Sequence, residues 1–255
     1  MLLPIGDDNS DRHLTPYITW LLILANIFVF VFLQGFGSNT AFTYAFSTVP
    51  AEILTNHDIV TAGKKVLIDG QYYFVPGLQP TPIPVFLTIV SSMFMHGSFA
   101  HIAGNMLYLW IFGDNLESRM GHIRYLVFYL LCGVIAALSH VAFTAFTGAD
   151  PLTPSLGASG AISGVLGGYL LLYPTRRVKA LLGWFIIYIP SWIALGMWIV
   201  LQLVSGFGAI AGQSDGVAYA AHVGGFIAGF LLVKFFDKGE TKAAPAPQKW
   251  VQRRW

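Results

Sequence analysis

The sequence predicts an all-α polytopic membrane protein, a bundle of six transmembrane helices. Of its 255 residues 55% are hydrophobic and 10% charged, whereas soluble domains carry about 25% charge. Mean hydropathy is +0.65. Apolar runs also recur at lengths that suit a bilayer, which needs about 20 mostly apolar residues per span. Lipid offers no partner to backbone N–H and C=O groups, so such runs must close as helices. Six stretches qualify, at 17–33, 99–112, 125–146, 158–173, 182–204 and 217–236.

Residues 1–16 mix Asp7, Asp8, Asp11 and Arg12 with no apolar core. They read as a cytoplasmic N-terminal segment and not a signal peptide, which makes the first span a retained signal anchor. A long extracytoplasmic loop, 34–84, follows and ends in a proline-rich stretch. Loops of this length either carry function, here gating or substrate selection, or are solvated insertions. The apolar run 83–95 is too short to cross and is broken by His96-Gly97-Ser98, so it reads as an interfacial or re-entrant helix. Spans two and four are short, and their polar residues lie near one end, as if those helices begin inside a cavity. The helical domain closes at residue 237, and 238–255 reads as a disordered basic cytoplasmic tail. Cys132 is the one cysteine. It excludes an internal disulfide or a Cys-based zinc cluster and reads as buried packing.

Orientation follows from the excess of Lys and Arg in cytoplasmic loops. With both termini inside, only Lys64 and Lys65 of the 14 basic residues fall outside. Span two then carries His101 and Asn105 in its outer half, span four begins outside with Ser159, and span six carries His222 about 7–8 Å inward. Four polar residues from three helices thus share one depth. A polar or ionisable group in a span is costly and marks function by default.

His101 and Asn105, at i and i+4, share a helix face. Gly160, Gly164 and Gly168 form a small-residue ridge beside Ser159, and Ala221, Gly225 and Gly229 form another beside His222. Such ridges let helices approach closely in lipid, and packing alone accounts for them. If the two ridges meet, however, Ser159 and His222 come within hydrogen-bond reach. No Asp or Glu lies in the middle of a span. The inventory therefore permits a Ser-His dyad, with His222 as general base and then acid, but not a Ser-His-Asp triad. His101, Asn105 and the amides at the start of span four could donate to an oxyanion.

The string His96-Gly97-Ser98-Phe99-Ala100-His101-Ile102-Ala103-Gly104-Asn105, with Phe112-Gly113 and Glu117, resembles the second-helix signature of rhomboid intramembrane serine proteases. Gly157-Ala158-Ser159-Gly160 resembles their GxSG nucleophile motif, and Ala221-His222-Val223-Gly224-Gly225 their last-helix histidine. The three motifs occur in family order. The resemblance implies a six-helix rhomboid-like bundle over 17–237 and an intramembrane serine endopeptidase that cuts in or near transmembrane segments. Ser159 would be the nucleophile and His222 its base. His101, Asn105 and the Ser159 N–H would form the oxyanion hole, with Gly157 holding the loop close. It also implies a preference for small residues at the cleavage site, and neither metal nor cofactor.

Two positions depart from the family pattern. Phe86-Leu87 stands where many members have Trp-Arg, and Ser163 stands where several have an aromatic against the histidine, a part that could pass to Tyr219. His96 reads as support for the loop, His140 as helix packing, and His13, His57 and His122 as solvated.

The expected partners are transmembrane-helix protein substrates and the lipid bilayer, with no nucleic acid. N-in topology without a transit peptide suits a bacterial inner membrane. The alternative is a catalytically silent rhomboid-like protein that binds transmembrane helices, although such proteins usually lose the serine or the histidine. A transporter or metal site built on His96, His101 and His222 would call for carboxylates in the spans or inverted repeats, and the sequence has neither.

Overall fold

The computed structural model describes residues 2–68, 70–210 and 218–239. In chain order these form strand β1 (Leu2–Asp7) and helix α1 (Tyr17–Phe28), which runs on into a π-helical turn, Val29–Leu33. The first loop contains α2 (Thr40–Ala45), α3 (Pro50–Thr55) and a hairpin of β2 (Lys64–Ile68) and β3 (Gln71–Val75). Short helical turns from Val85 to Phe94, including α4 (Thr88–Ser91), lead to α5 (Phe99–Met120) and α6 (His122–Thr147). Then come α7 (Ser159–Leu172), β4 (Arg177–Leu182), β5 (Phe185–Pro190), α8 (Ser191–Ile210) and α9 (Tyr219–Phe236). Of the expected tail, residues 240–255 lie outside the described residues.

The protein is a helical membrane fold that departs from the expected one in three respects. First, α6 and α9 alone are each long and apolar enough to cross a membrane, among the described residues. The bent pair Val85–Phe94 and Phe99–Met120, turned by 81°, would make a third span. Tyr17–Leu33, Ser159–Leu172 and Ser191–Gly206 are shorter apolar helices.

Second, the fold is not all-α: β1, β4 and β5 form an antiparallel sheet in which β4 is central. The run expected as a span from 182 is partly this hairpin. Val178 and Ala180 alternate inward as a strand requires, and Gly183, at φ +58°, takes the left-handed place in the two-residue turn, where glycine costs least. The helix therefore starts only at Ser191. Third, α5 does not stop at Phe112 but continues to Met120, because its polar residues there are paired and buried.

That pairing builds one end of the molecule. Glu117 is fully buried and accepts from the N–H groups of Ile18 (2.8 Å) and Thr19 (2.7 Å) and from the Thr19 hydroxyl (2.7 Å). It thus caps α1, whose first amides have no intrahelical partner. His122 Nδ1 lies 2.6 Å from the same carboxylate, so His122 is not the solvated residue expected. His13 is exposed as expected, with its backbone N–H and ring against the Ser118 hydroxyl. Arg12 pairs with Asp114 at 2.6 Å, Arg119 with Asp237 at 2.6 Å, and Arg176 with Asp11. Arg176 also donates to Asn115 at 2.6 Å. The segment after β1, the C-terminal turns of α5 and the residue after α9 are thus tied together by basic residues.

Asp7, on β1, accepts from the Tyr169 hydroxyl (2.6 Å) and the Asn115 amide (2.8 Å). Burial pushes its carboxyl up to about 7, with nearby Asp114 adding to the rise, while Tyr169 and Arg176 oppose it. Because the folded pKa exceeds the unfolded one, the folded state holds a proton that the unfolded chain releases. Stability therefore falls as pH rises from about 4 to about 7. Thermal unfolding in detergent across this window is expected to show that fall, and Asp7→Asn to flatten it. Glu117→Ala, which leaves two buried amides unpaired, is expected to cost about 2–4 kcal/mol in the same assay.

The first loop is no mere solvated insertion over its first half. Thr48 and Ser155 exchange backbone hydrogen bonds (3.1 and 2.8 Å), and Ala51 N–H donates to Pro151 at 2.9 Å. Gln34 holds both backbone groups of His96, at 2.9 and 3.1 Å. These contacts clamp the segments leading into α5 and α7.

Candidate active site

Two helices carry the central pair. Where α7 and α9 cross, their backbones touch. A Cβ on Gly225 would meet the carbonyl of Gly160, and one on Gly229 the carbonyl of Gly164, inside any allowed contact distance. Cys132 packs on Gly164 from α6, buried as expected. The two small-residue ridges do meet, and the approach brings His222 Nε2 to 2.7 Å from Ser159 Oγ.

Ser159 opens α7, whose N-cap, Ala158, supplies no capping side chain. The first amides of the helix therefore keep their donors, and the helix dipole favours negative charge beside them. With 14 residues α7 is roughly 21 Å long, shorter than the hydrocarbon core of about 30 Å.

Gly157 precedes the serine at φ +125°. Its N–H donates to Ser92 O at 2.9 Å, and the Thr48 and Ser92 hydroxyls lie 2.8 Å apart behind it. A Cβ at Gly157 would lie 2.8 Å from His101 Nε2 and 3.5 Å from Ser159 Oγ. Glycine is therefore required twice, for the backbone conformation and for the approach of His101. Gly157→Ala is expected to cost about 1–3 kcal/mol of stability, read by thermal unfolding.

His101 sits in the first turn of α5, capped by Ser98, whose hydroxyl accepts from His101 N–H at 3.1 Å. Gly97 N–H makes a long, 3.4 Å bond to His101 Nδ1. A nitrogen that accepts there leaves the proton on Nε2, the atom facing Gly157. One turn on, Asn105 is buried, with its amide nitrogen 2.9 Å from His96 Nε2. That amide has two N–H donors, and His96 takes one. His96 is itself fully buried and clamped by Gln34, in the supporting place expected for it. The structure thus brings Ser159 to His222 and Gly157 to His101, and holds Asn105 on the same face of α5.

Sequence reasoning missed what lies behind His222. Gln202 Oε1 of α8 is 2.6 Å from its Nδ1, and the Trp198 ring centroid lies 6.0 Å from its ring. Tyr219, expected to replace the absent aromatic at Ser163, meets the histidine edge-on at 6.4 Å. The Ser163 hydroxyl instead donates to Ser159 O at 2.6 Å. Spacing alone could not reveal Gln202, since an unbroken apolar helix offers no register against its neighbour. A polar residue amid Val200, Leu201, Leu203 and Val204 was the available signal.

A family profile described as the Rhomboid domain matches residues 85–238, which contain Ser159, His222, His101, Asn105, Gly157 and Gln202. The chain belongs to the rhomboid family. The rhomboid core resembles Rhomboid protein 1, mitochondrial, of Saccharomyces cerevisiae, at 31% identity over 184 residues, 68% of this chain and 49% of that protein. It also resembles the Rhomboid protease GluP of Bacillus subtilis, at 27% over 219 residues, 85% of this chain and 34% of that protein. A third relative is the human Presenilin-associated rhomboid-like protein, mitochondrial, at 31% over 176 residues, 63% of this chain and 43% of that protein. This rhomboid thus spans about half the length, or less, of these relatives. Since they include mitochondrial proteins as well as a bacterial one, the expectation of a bacterial inner membrane gains no support.

Proposed function

We propose that this rhomboid is an intramembrane serine endopeptidase, hydrolysing peptide bonds in or near transmembrane segments of membrane proteins. The observation that carries the reading is the 2.7 Å contact between Ser159 Oγ and His222 Nε2. As the Ser159 oxygen attacks the scissile carbonyl carbon, its proton passes to His222 Nε2. Negative charge then gathers on the carbonyl oxygen. Its donors are the Nε2–H of His101, the second N–H of Asn105 and the free amides at the start of α7. When the tetrahedral intermediate collapses, the C–N bond breaks and His222 returns the proton to the leaving amine. A water deprotonated by the same imidazole then attacks the acyl-enzyme, releasing the new carboxyl end and restoring Ser159.

A cavity of about 30 Å³ adjoins the serine, lined by Ser92, Gly157, Gly160, Ala161 and Ala136 among others. It has room for one or two water-sized groups, which supports small side chains at the cleavage site. Six spans, both termini on the basic side and a domain over 17–237 belong to the same proposal.

Cleavage of a single-helix transmembrane reporter by purified protein in liposomes tests the reading. Ser159→Ala and His222→Ala are each expected to abolish cleavage, and Asn105→Ala to lower kcat by about 10²–10³. Cleavage that survives Ser159→Ala would sink the proposed mechanism. Binding of the reporter helix with no cleavage by any form would favour a silent helix-binding rhomboid.

A further inference from the structure

A Ser-His pair works only if the imidazole presents a bare Nε2 to the serine, and something must keep the proton on the other nitrogen. In hydrolases built on a triad, a carboxylate does this. Here α8 faces α9 along three successive turns. Trp198 stacks on Phe226 at 6.2 Å, Gln202 meets His222, and a Cβ on Gly206 would lie 3.3 Å from Tyr219 Cβ. Positions 198, 202 and 206 form one stripe at i, i+4 and i+8, and His222 is held at its centre. At 2.6 Å the Gln202 Oε1–His222 Nδ1 contact is short. The two ring nitrogens therefore have different neighbours: a hydroxyl that can donate to Nε2, and an amide oxygen that can only accept from Nδ1.

We propose that Gln202 is the third member of the site, a positioning residue that locks His222 as the Nδ1–H tautomer and aims Nε2 at Ser159. An uncharged amide suits the setting. It fixes the ring as a carboxylate would, without placing an anion at membrane depth, where charge is costly. It also leaves the imidazolium formed during turnover less stabilised than an aspartate would, so the proton passes on readily to the leaving amine. Trp198, one turn away on the same stripe, blocks sideways rotation of the ring.

This assignment rests on the proposed Ser159–His222 pair, and the test separates the two. The variants are Gln202→Met, which keeps the volume and loses the acceptor, and Gln202→Glu, which keeps the acceptor and adds charge. Both are assayed on the transmembrane reporter beside wild type and Ser159→Ala. Gln202→Met is expected to lose about 10–100-fold in kcat, the range seen when an orienting partner of a histidine is removed, with KM within about twofold. Gln202→Glu is expected to keep most of kcat and to move the acid limb of the kcat/KM profile to higher pH, because a carboxylate favours the imidazolium. A merely space-filling glutamine would leave both kcat and the pH profile of Gln202→Met unchanged, and that result overturns the assignment while leaving the dyad intact. Cleavage surviving Ser159→Ala overturns the dyad and this assignment with it. The 15N spectrum of ring-labelled histidine, with His222 assigned by the His222→Ala difference, decides even where no reporter is cut. A protonated Nδ1 in wild type that is lost in Gln202→Met supports the lock, and a protonated Nε2 in wild type overturns it.

Discussion

Everything at the candidate site depends on two helices touching through their backbones. In a bilayer no hydrophobic force drives helices together, so association rests on close van der Waals fit. Gly160 and Gly164 of α7 present carbonyls to Gly225 and Gly229 of α9 where any side chain would collide. That proximity brings a serine and a histidine 63 residues apart to hydrogen-bond distance without an ion pair to draw them in. The third wall is added by α8, and α5 contributes His101 and Asn105 from the other side.

A division of labour runs along the molecule. At the basic end, buried carboxylates and arginines join elements remote in sequence, with Glu117 tying α1, α5 and the start of α6 together. The side chains that meet around Ser159 and His222 are hydroxyls, amides and imidazoles. Among the described residues the arginine–carboxylate pairs gather at that basic end, away from Ser159 and His222. Between them, the loop holding Thr48 and the turn holding Ser92 grip the strand-like approach to Ser159.

Much of this was legible in the sequence. Residue type pointed to Ser159, His222, His101 and Asn105, because polar side chains in apolar helices stand out, and the motif resemblance added Gly157. The glycine ridges left the meeting of α7 and α9 as a condition, which the backbone contacts of Gly160 with Gly225 and of Gly164 with Gly229 meet. Hydropathy misjudged the hairpin before α8: Gly183 alone interrupts the apolar run 180–189, and composition cannot tell an apolar strand from a helix where a glycine turn decides. It also cut α5 short, since Asp114 and Glu117 look like loop residues until Arg12, His122 and the α1 amides are seen around them. Gln202 escaped because its meaning lies in the register of α8 against α9.

The glycine crossing also acts as a fulcrum. His222 lies seven residues above Gly229, or about 10 Å along α9, and Asp237, held by Arg119, terminates the opposite arm. Tilting the helix by about 5° around the crossing would sweep His222 through roughly 0.9 Å by that lever arm. Directed along the contact, a displacement of that size would stretch 2.7 Å past the limit of a good hydrogen bond. The angle at which α9 crosses α7 is therefore read out at Ser159, while the Arg119–Asp237 clasp holds the other end of the same helix.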